Sequence, residues 1–155
     1  NPFDVAPDRM RQWIEDVRSV RAKAGKHRVV GSIEDAYRRL LLNHPYIDAA
    51  ILRGRLEHLV EPLSDGRVKW RFDPLHKTIS PSPFYAAHFN AFAARITCPV
   101  LSVSGGPEGF RPPDEADRAA SFQKLERREL PGAGHMIHWT RPDDLARVLL
   151  EFWST

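Results

Sequence analysis

The sequence predicts an α/β fold in which a mainly helical region comes first and a short parallel sheet follows. Apolar residues recur at helical spacing through most of residues 1–94. From about residue 95, short apolar runs alternate with amphipathic helical segments, which is the order of elements in a parallel sheet. A glycine-rich loop that carries a histidine then separates the second run from the last helix.

Two helices are predicted at the start of the first region. The first lies between Pro7 and Gly25 and has one apolar stripe, formed by Met10, Trp13, Ile14, Val17 and Val20. The second begins at Ser32, whose hydroxyl can cap it. Because Asp35 stands three residues further on, the two side chains have the spacing of a capping box.

The rest of this region predicts two more helices and a hairpin. A short helix is expected over Asp48 to Leu56. Residues 68–72 alternate apolar and polar after a turn at residues 64–66, which is typical of a small hairpin. Phe84 to Arg95 then forms the fourth helix.

The second region alternates strand and helix. Its predicted elements are a buried parallel strand over 100–104, a helix over 114–125, a strand over 126–130 and an amphipathic helix from Pro142. Two parallel strands do not make a stable sheet, because such strands are normally bonded on both edges. We therefore expect a further strand beside residues 100–104, supplied by chain outside this sequence.

Composition argues against several classes of partner. The 23 Lys and Arg residues are interleaved with 20 Asp and Glu residues, which is typical of a solvated surface and not of a nucleic-acid interface. No apolar run approaches the ~20 residues that span a bilayer, so no membrane partner is expected. The chain starts at Asn1 and not at Met, from which we expect a beginning inside a longer protein.

The single cysteine predicts a reducing, cytoplasmic compartment. Cys98 has no partner for an internal disulfide. It stands before Pro99 at the entrance to a predicted strand, with no histidine motif or helix start to activate it. We therefore expect it to be a small buried apolar side chain and not a nucleophile.

The segment 131–138, which reads Pro-Gly-Ala-Gly-His-Met-Ile-His, carries the most specific chemistry. A histidine on such a loop is suited to take a proton from a nucleophile and pass it to a leaving group. No Gly-x-Ser-x-Gly occurs in the chain, so we expect the nucleophile to come from outside the 155 residues. His138 lies three residues after His135, but no further ligand cluster is near in sequence; we expect neither a metal nor a cofactor.

Residues 96–105 and 130–142 resemble two segments of the α/β-hydrolases: the approach to the seventh strand, and the histidine loop with the last helix. That family inserts a helical cap after the sixth strand. The resemblance implies a cap over residues 1–94 and the C-terminal part of the α/β-hydrolase core over 95–155. Residues 70–74, Trp-Arg-Phe-Asp-Pro, are similar to the serine-hydrolase-like branch. The family's first half, with its nucleophile elbow and oxyanion hole, is not among these residues.

The resemblance places the family's general base on His135, where Gly132 and Gly134 allow a sharp turn off the strand end. The family's acid is an Asp three residues beyond the glycine that ends the seventh strand, and Glu108 stands at that position. Asp114 and Asp73 are the alternative acids. The apolar residues expected to line a substrate pocket are Met136, Trp139, Phe110 and Phe84; for the last two, packing in the core is the alternative.

The implied function is an esterase-like serine hydrolase that is inactive without its other half. The absent serine would attack a carbonyl, His135 would take its proton, and Glu108 would hold the imidazole tautomer. The expected partners are a small-molecule substrate and the N-terminal half of the same fold. Three alternatives stay open: an Asp nucleophile that cleaves epoxides or carbon–halogen bonds, a non-catalytic binding module, and an adaptor that self-associates by its strand edge.

Overall fold

The structure, a computed structural model, describes residues 2–23 and 28–154. The chain forms two compact units, Asn1–Phe84 and Tyr85–Thr155. The boundary between them precedes the fourth predicted helix, whereas the resemblance placed the boundary between cap and core after residue 94. The role of residues 1–94 as a cap stays a prediction.

The first unit combines helices with a small antiparallel sheet. Its elements are α1 Pro2–Ala22, β1 Val29–Val30, α2 Ile33–Asn43, α3 Ala49–Leu59, β2 Val60–Pro62, β3 Val68–Trp70 and a 3-10 helix Pro74–Lys77. The strand order is β1-β3-β2. The predicted hairpin is confirmed, because β2 and β3 pair antiparallel. Strand β1 was not predicted, since two residues are too few to show alternation.

The core of the first unit lies between this sheet and the helices α2 and α3. The buried apolar side chains are Val30, Ala36, Leu40, Leu52, Leu56, Val60 and Val68. Each of α2 and α3 contributes two of them, spaced four residues apart on one face. Burial of these side chains is what holds the two helices on the sheet.

Helix α1 differs from α2 and α3. Its predicted apolar stripe is present, but none of its described side chains is buried, and Met10 is 45% and Ile14 37% exposed. The helix starts at Pro2, before the predicted start at Pro7. The predicted stop at Gly25 lies outside the described residues.

The second unit contains the predicted strand-helix-strand-helix order. Its elements are α4 Ala86–Ala93, β4 Val100–Ser104, α5 Glu115–Ala120, β5 Leu125–Glu129, α6 Ile137–Thr140 and α7 Pro142–Trp153. Helix α4 packs on α5, and the Phe89 and Phe122 rings meet edge to face at 5.9 Å between centroids. Helix α6 was not predicted because four residues carry no helical period.

Strands β4 and β5 pair in parallel, with Val100 opposite Leu125 and Ser104 opposite Glu129. Among the described residues, β4 has β5 as its only neighbouring strand, so its other edge is open. The prediction that this strand is buried is wrong for the described chain, because none of the five residues of β4 is buried. This open edge is where the sequence predicts a further strand.

The prediction that Cys98 is buried is wrong. The thiol is exposed. Cys98 lies in the connection between α4 and β4, before the strand starts, and such connections run over the surface where few side chains cover them.

Within the part of the chain that the structure describes, every helix is too short or too polar to cross a membrane.

The capping box predicted for α2 is confirmed. The Ser32 hydroxyl accepts a hydrogen bond from the Asp35 N–H at 3.1 Å, and the Asp35 carboxylate accepts from the Ser32 N–H at 2.8 Å. The Ser32 hydroxyl also donates to this carboxylate at 2.9 Å. These bonds, the backbone one above all, hold the pKa of Asp35 below its ordinary value.

We predict that Ser32→Ala lowers the free energy of unfolding by about 1 kcal/mol at neutral pH, because the helix loses its cap. The ionised Asp35 carboxylate is the form that accepts these bonds. Ser32→Ala keeps the backbone bond and removes the hydroxyl bond to this carboxylate. The stabilisation from that hydroxyl bond is present above the ordinary Asp pKa of 3.8 and is lost as pH falls through the lowered folded value. Urea denaturation at pH 7 and pH 3 should show the variant approaching the wild type at the lower pH.

The matched control is Ser19→Ala, at an exposed position inside α1. Ala favours helix interiors over Ser, so this variant should be as stable as the wild type or slightly more stable. An equal loss of stability in the two variants would contradict a specific role for the cap.

Candidate active site

The loops that follow β4 and β5 lie at the same edge of the sheet, because the strands are parallel and in register. The pairing continues beyond the strands. The Leu130 N–H donates to the Ser104 carbonyl at 2.8 Å, and the Gly134 N–H donates to the Gly105 carbonyl at 2.9 Å. The loop 105–109 therefore contacts the histidine loop at the carboxyl ends of the strands, where ligand sites of α/β sheets collect.

Glycine is required where the two loops meet. A Cβ added at Gly105 would lie 1.8 Å from the Gly134 carbonyl oxygen, which no side chain tolerates. Gly132 and Gly134 have φ angles of 74° and 66°, a conformation that favours glycine. The sharp turn predicted from these two glycines is thus confirmed, and the close approach at Gly105 is an additional constraint.

His135 follows this turn and is exposed. The Phe110 ring meets the imidazole edge to face, with 6.1 Å between ring centroids and 70° between planes. The loop beneath it is anchored: Ala133 is buried, and its carbonyl accepts a hydrogen bond from the Thr140 hydroxyl at 2.6 Å. The backbone that carries the imidazole is fixed while the ring itself stays accessible to a reacting group.

The anchor is a small hydrophobic core on the second unit's sheet. Leu130, Ala133 and Val148 are buried together, and the partly buried residues packed against them are Leu101, Val103, Ile137 and Leu145. They come from β4, the histidine loop, α6 and α7. The position of His135 therefore depends on the packing of four elements.

Glu108 lies on the facing loop. Its backbone oxygen is 3.9 Å from the Cβ position of Gly134, whereas its carboxylate oxygen Oε2 is 3.2 Å from the Cβ position of Gly106. In the described part of the chain, no hydrogen bond or ion pair joins Glu108 to His135 or to another side chain. The structure thus brings the two loops together but not the carboxylate and the imidazole. Catalytic hydrogen bonds often tighten only when substrate is bound.

The two alternative acids each have another partner. Asp114 lies 2.7 Å from the Arg118 guanidinium, which holds the pKa of that carboxyl below its ordinary value. Asp73 belongs to the first unit, where its carboxylate caps the 3-10 helix by accepting the Leu75 N–H at 2.9 Å.

Three of the four predicted pocket residues lie in the same unit as His135. Met136 and Trp139 are half-buried at the start of α6 and within it. Phe110 is 73% exposed, so it is not packed in the core of the described chain. Phe84 is 54% exposed and belongs to the first unit.

Two side chains that position the loops were not predicted from the sequence. Thr140 was detectable, because it stands four residues after Met136, whose carbonyl its hydroxyl also approaches at 3.3 Å. Arg111 forms an ion pair with Glu129 and so ties the loop after β4 to the end of β5. No spacing rule connects positions 111 and 129, so this contact was not readable from the sequence.

Across the described residues, no three His, Cys, Asp or Glu side chains lie together as a metal site requires. His138 instead meets the Trp139 ring edge to face, with 5.9 Å between centroids.

Comparison with known proteins gives a match in fold. No family model matches the sequence, and no curated protein does. A hypothetical protein of Pseudomonas aeruginosa PAO1 aligns with a TM-score of 0.78 at 24% identity, over 98% of this chain and 54% of that one. An esterase of Mycobacterium tuberculosis aligns with a TM-score of 0.70 at 19% identity, over 97% of this chain and 48% of that one.

A third solved structure, E-2-(acetamidomethylene)succinate hydrolase, aligns with a TM-score of 0.62 at 19% identity, over 92% of this chain and 53% of that one. The chain therefore spans about half the length of the structures it matches. At these identities the matches establish a shared fold.

We predict that Gly105→Ala separates the two loops and destabilises the protein by about 1–3 kcal/mol or more, because the new methyl overlaps a backbone oxygen. Urea denaturation measures the loss. Gly54→Ala is the matched control, since Gly54 lies inside α3 with no atom within 4 Å of an added Cβ. It should raise stability by up to about 1 kcal/mol. Wild-type stability in Gly105→Ala would show that the loops do not meet as described.

Proposed function

We propose that this chain is the C-terminal half of an α/β-hydrolase with a helical cap, and that it supplies the base and the acid of an ester-hydrolysing site. A serine from chain outside these 155 residues attacks the ester carbonyl. His135 takes the hydroxyl proton and later delivers it to the leaving alcohol, while Glu108 orients the imidazole. The observation that carries this proposal is the contact of the two loops at the carboxyl ends of β4 and β5, with His135 exposed beside it.

Two features support a nucleophile from another part of the fold. Strand β4 has one open edge within the described chain, which leaves its backbone groups available to a further strand. The alignment covers 48% of the matched esterase of Mycobacterium tuberculosis, so that chain is about twice as long as its aligned part. The N-terminal half of the fold is thus the proposed partner, on the same polypeptide or on another.

The surroundings of His135 favour an ester with an apolar acyl or alcohol group. Phe110 presents an exposed ring beside the imidazole, and Met136 follows His135 directly. Trp139 is a further proposed pocket residue of this unit, and the role of Phe84 in a pocket stays a prediction from the sequence. A small-molecule substrate and a cytoplasmic location belong to the same proposal, the latter on the strength of the single cysteine.

Glu108 is preferred as the acid because its carboxylate is uncommitted. It lies on the loop that touches the histidine loop, and no cation holds it within the described residues. Asp114 is already paired with Arg118, so recruiting it would require breaking that ion pair. Asp73 is engaged as a helix cap.

We predict that His135→Ala lowers kcat for p-nitrophenyl butyrate by about 10⁴-fold or more in the protein that contains both halves, with a small effect on KM. The base acts in the transition state and contributes little to ground-state binding. The 155-residue chain by itself should show no turnover above that of its own His135→Ala variant.

Turnover by the isolated chain that His135→Ala abolishes would contradict a nucleophile from outside. A fluorophosphonate probe, which labels activated serines, should label the complete protein. Absence of labelling together with turnover of an epoxide would instead indicate an Asp nucleophile. Absence of any turnover in the complete protein would favour a binding module.

We predict that Glu108→Gln lowers kcat by about 10³- to 10⁴-fold, since a neutral amide does not stabilise the imidazolium that forms. Asp114→Asn is the matched control and should leave kcat within about twofold, because the Asp114 carboxylate is held by Arg118. Steady-state kinetics with thermal melting of both variants measures the difference. The opposite order of effects would assign the acid to Asp114.

A further inference from the structure

A cavity of about 430 Å³ lies in the first unit, between one face of α1 and the 3-10 helix. Its apolar lining consists of Trp13, Ile14, Val17 and Leu75. The volume is within the range of small-molecule pockets, and a mainly apolar wall with a few polar groups is typical of them.

Three of these side chains belong to the apolar stripe of α1, which packing within the unit leaves accessible, and Leu75 belongs to the 3-10 helix. Trp13 and Val17 are half-buried, and Ile14 is 37% and Leu75 38% exposed. The four side chains thus form a hydrophobic surface that is open to a ligand and that the core of the unit does not use.

The charge around the cavity has one sign. Arg18 and Arg21 line it, one and two turns after Ile14 on the same face of α1, and no Asp or Glu is among the lining residues. In the described part of the chain, neither guanidinium has an ion pair or a hydrogen bond. Thr78, the other polar side chain of the lining, donates its hydroxyl to the Leu75 carbonyl at 2.8 Å. The two arginines are therefore the groups free to recognise a ligand.

We propose that this cavity binds an amphipathic anion, a medium-chain carboxylate, with its alkyl chain against the Trp13 wall and its carboxylate against Arg18 and Arg21. Two unpaired guanidinium groups beside an apolar wall complement both ends of such a molecule. An arginine guanidinium can donate two parallel hydrogen bonds to a carboxylate, whereas a neutral alcohol cannot accept such a pair. Binding here requires neither His135 nor Glu108.

The test is calorimetric titration of the 155-residue chain with decanoate below its micelle-forming concentration. Saturable binding is expected, weaker at high salt because the charge pairing is at the surface. Arg18→Gln and Arg21→Gln should each weaken it by about fivefold. The matched control is Arg39→Gln, an exposed arginine on α2 that loses the same charge away from the cavity, and its affinity should equal that of the wild type.

Two ligand controls and one direct measurement complete the experiment. Butyrate lacks the chain and decanol lacks the charge, so both should bind more weakly than decanoate. Nuclear Overhauser effects from the decanoate methylenes to the Trp13 ring are expected on the unaltered chain, which makes the result independent of how the variants fold. Absence of saturable decanoate binding, absence of these effects, or equal weakening by Arg39→Gln would overturn the proposal.

Discussion

The close backbone contact between Gly105 and Gly134 is the constraint on which the candidate site depends. A hydrogen bond of 2.9 Å joins the two residues, and the carbonyl of Gly134 occupies the space that any side chain at position 105 would need. This contact brings the loop of Glu108 beside the loop of His135. Parallel pairing of β4 and β5 places both loops at one edge of the sheet, and this contact continues the pairing into the loops.

The second unit is anchored on one side and open on the other. Leu130, Ala133 and Val148 hold the histidine loop from beneath, while β4 leaves one edge unpaired in the described chain. An exposed imidazole on a fixed backbone is suited to receive a proton from a group presented by another segment. The proposed function therefore assigns to this chain the base and acid, and to a further segment the nucleophile.

The carboxylates differ in whether a neighbouring group stabilises their ionised form. Asp35 and Asp114 have lowered pKa values because hydrogen bonds and a guanidinium, respectively, stabilise their ionised forms, so their charge serves stability. Glu108 has no such partner in the described residues and is free to serve an imidazole. Within the described residues Arg18 and Arg21 likewise have no ion pair, which is why we propose an anion as the ligand of the cavity beside them.

Local patterns in the sequence determined the features that depend on near neighbours along the chain. The cap formed by Ser32 and Asp35, the strand over 100–104 and the turn before His135 each follow from spacing or from glycine conformation, so the sequence predicts them without any tertiary contact. Only the tertiary structure decided the rest: the exposure of Cys98, the ion pair of Arg111 with Glu129 and the cavity beside α1. Those features depend on which distant segments pack together, and packing is set by the shape and burial of the whole unit, which no local period encodes.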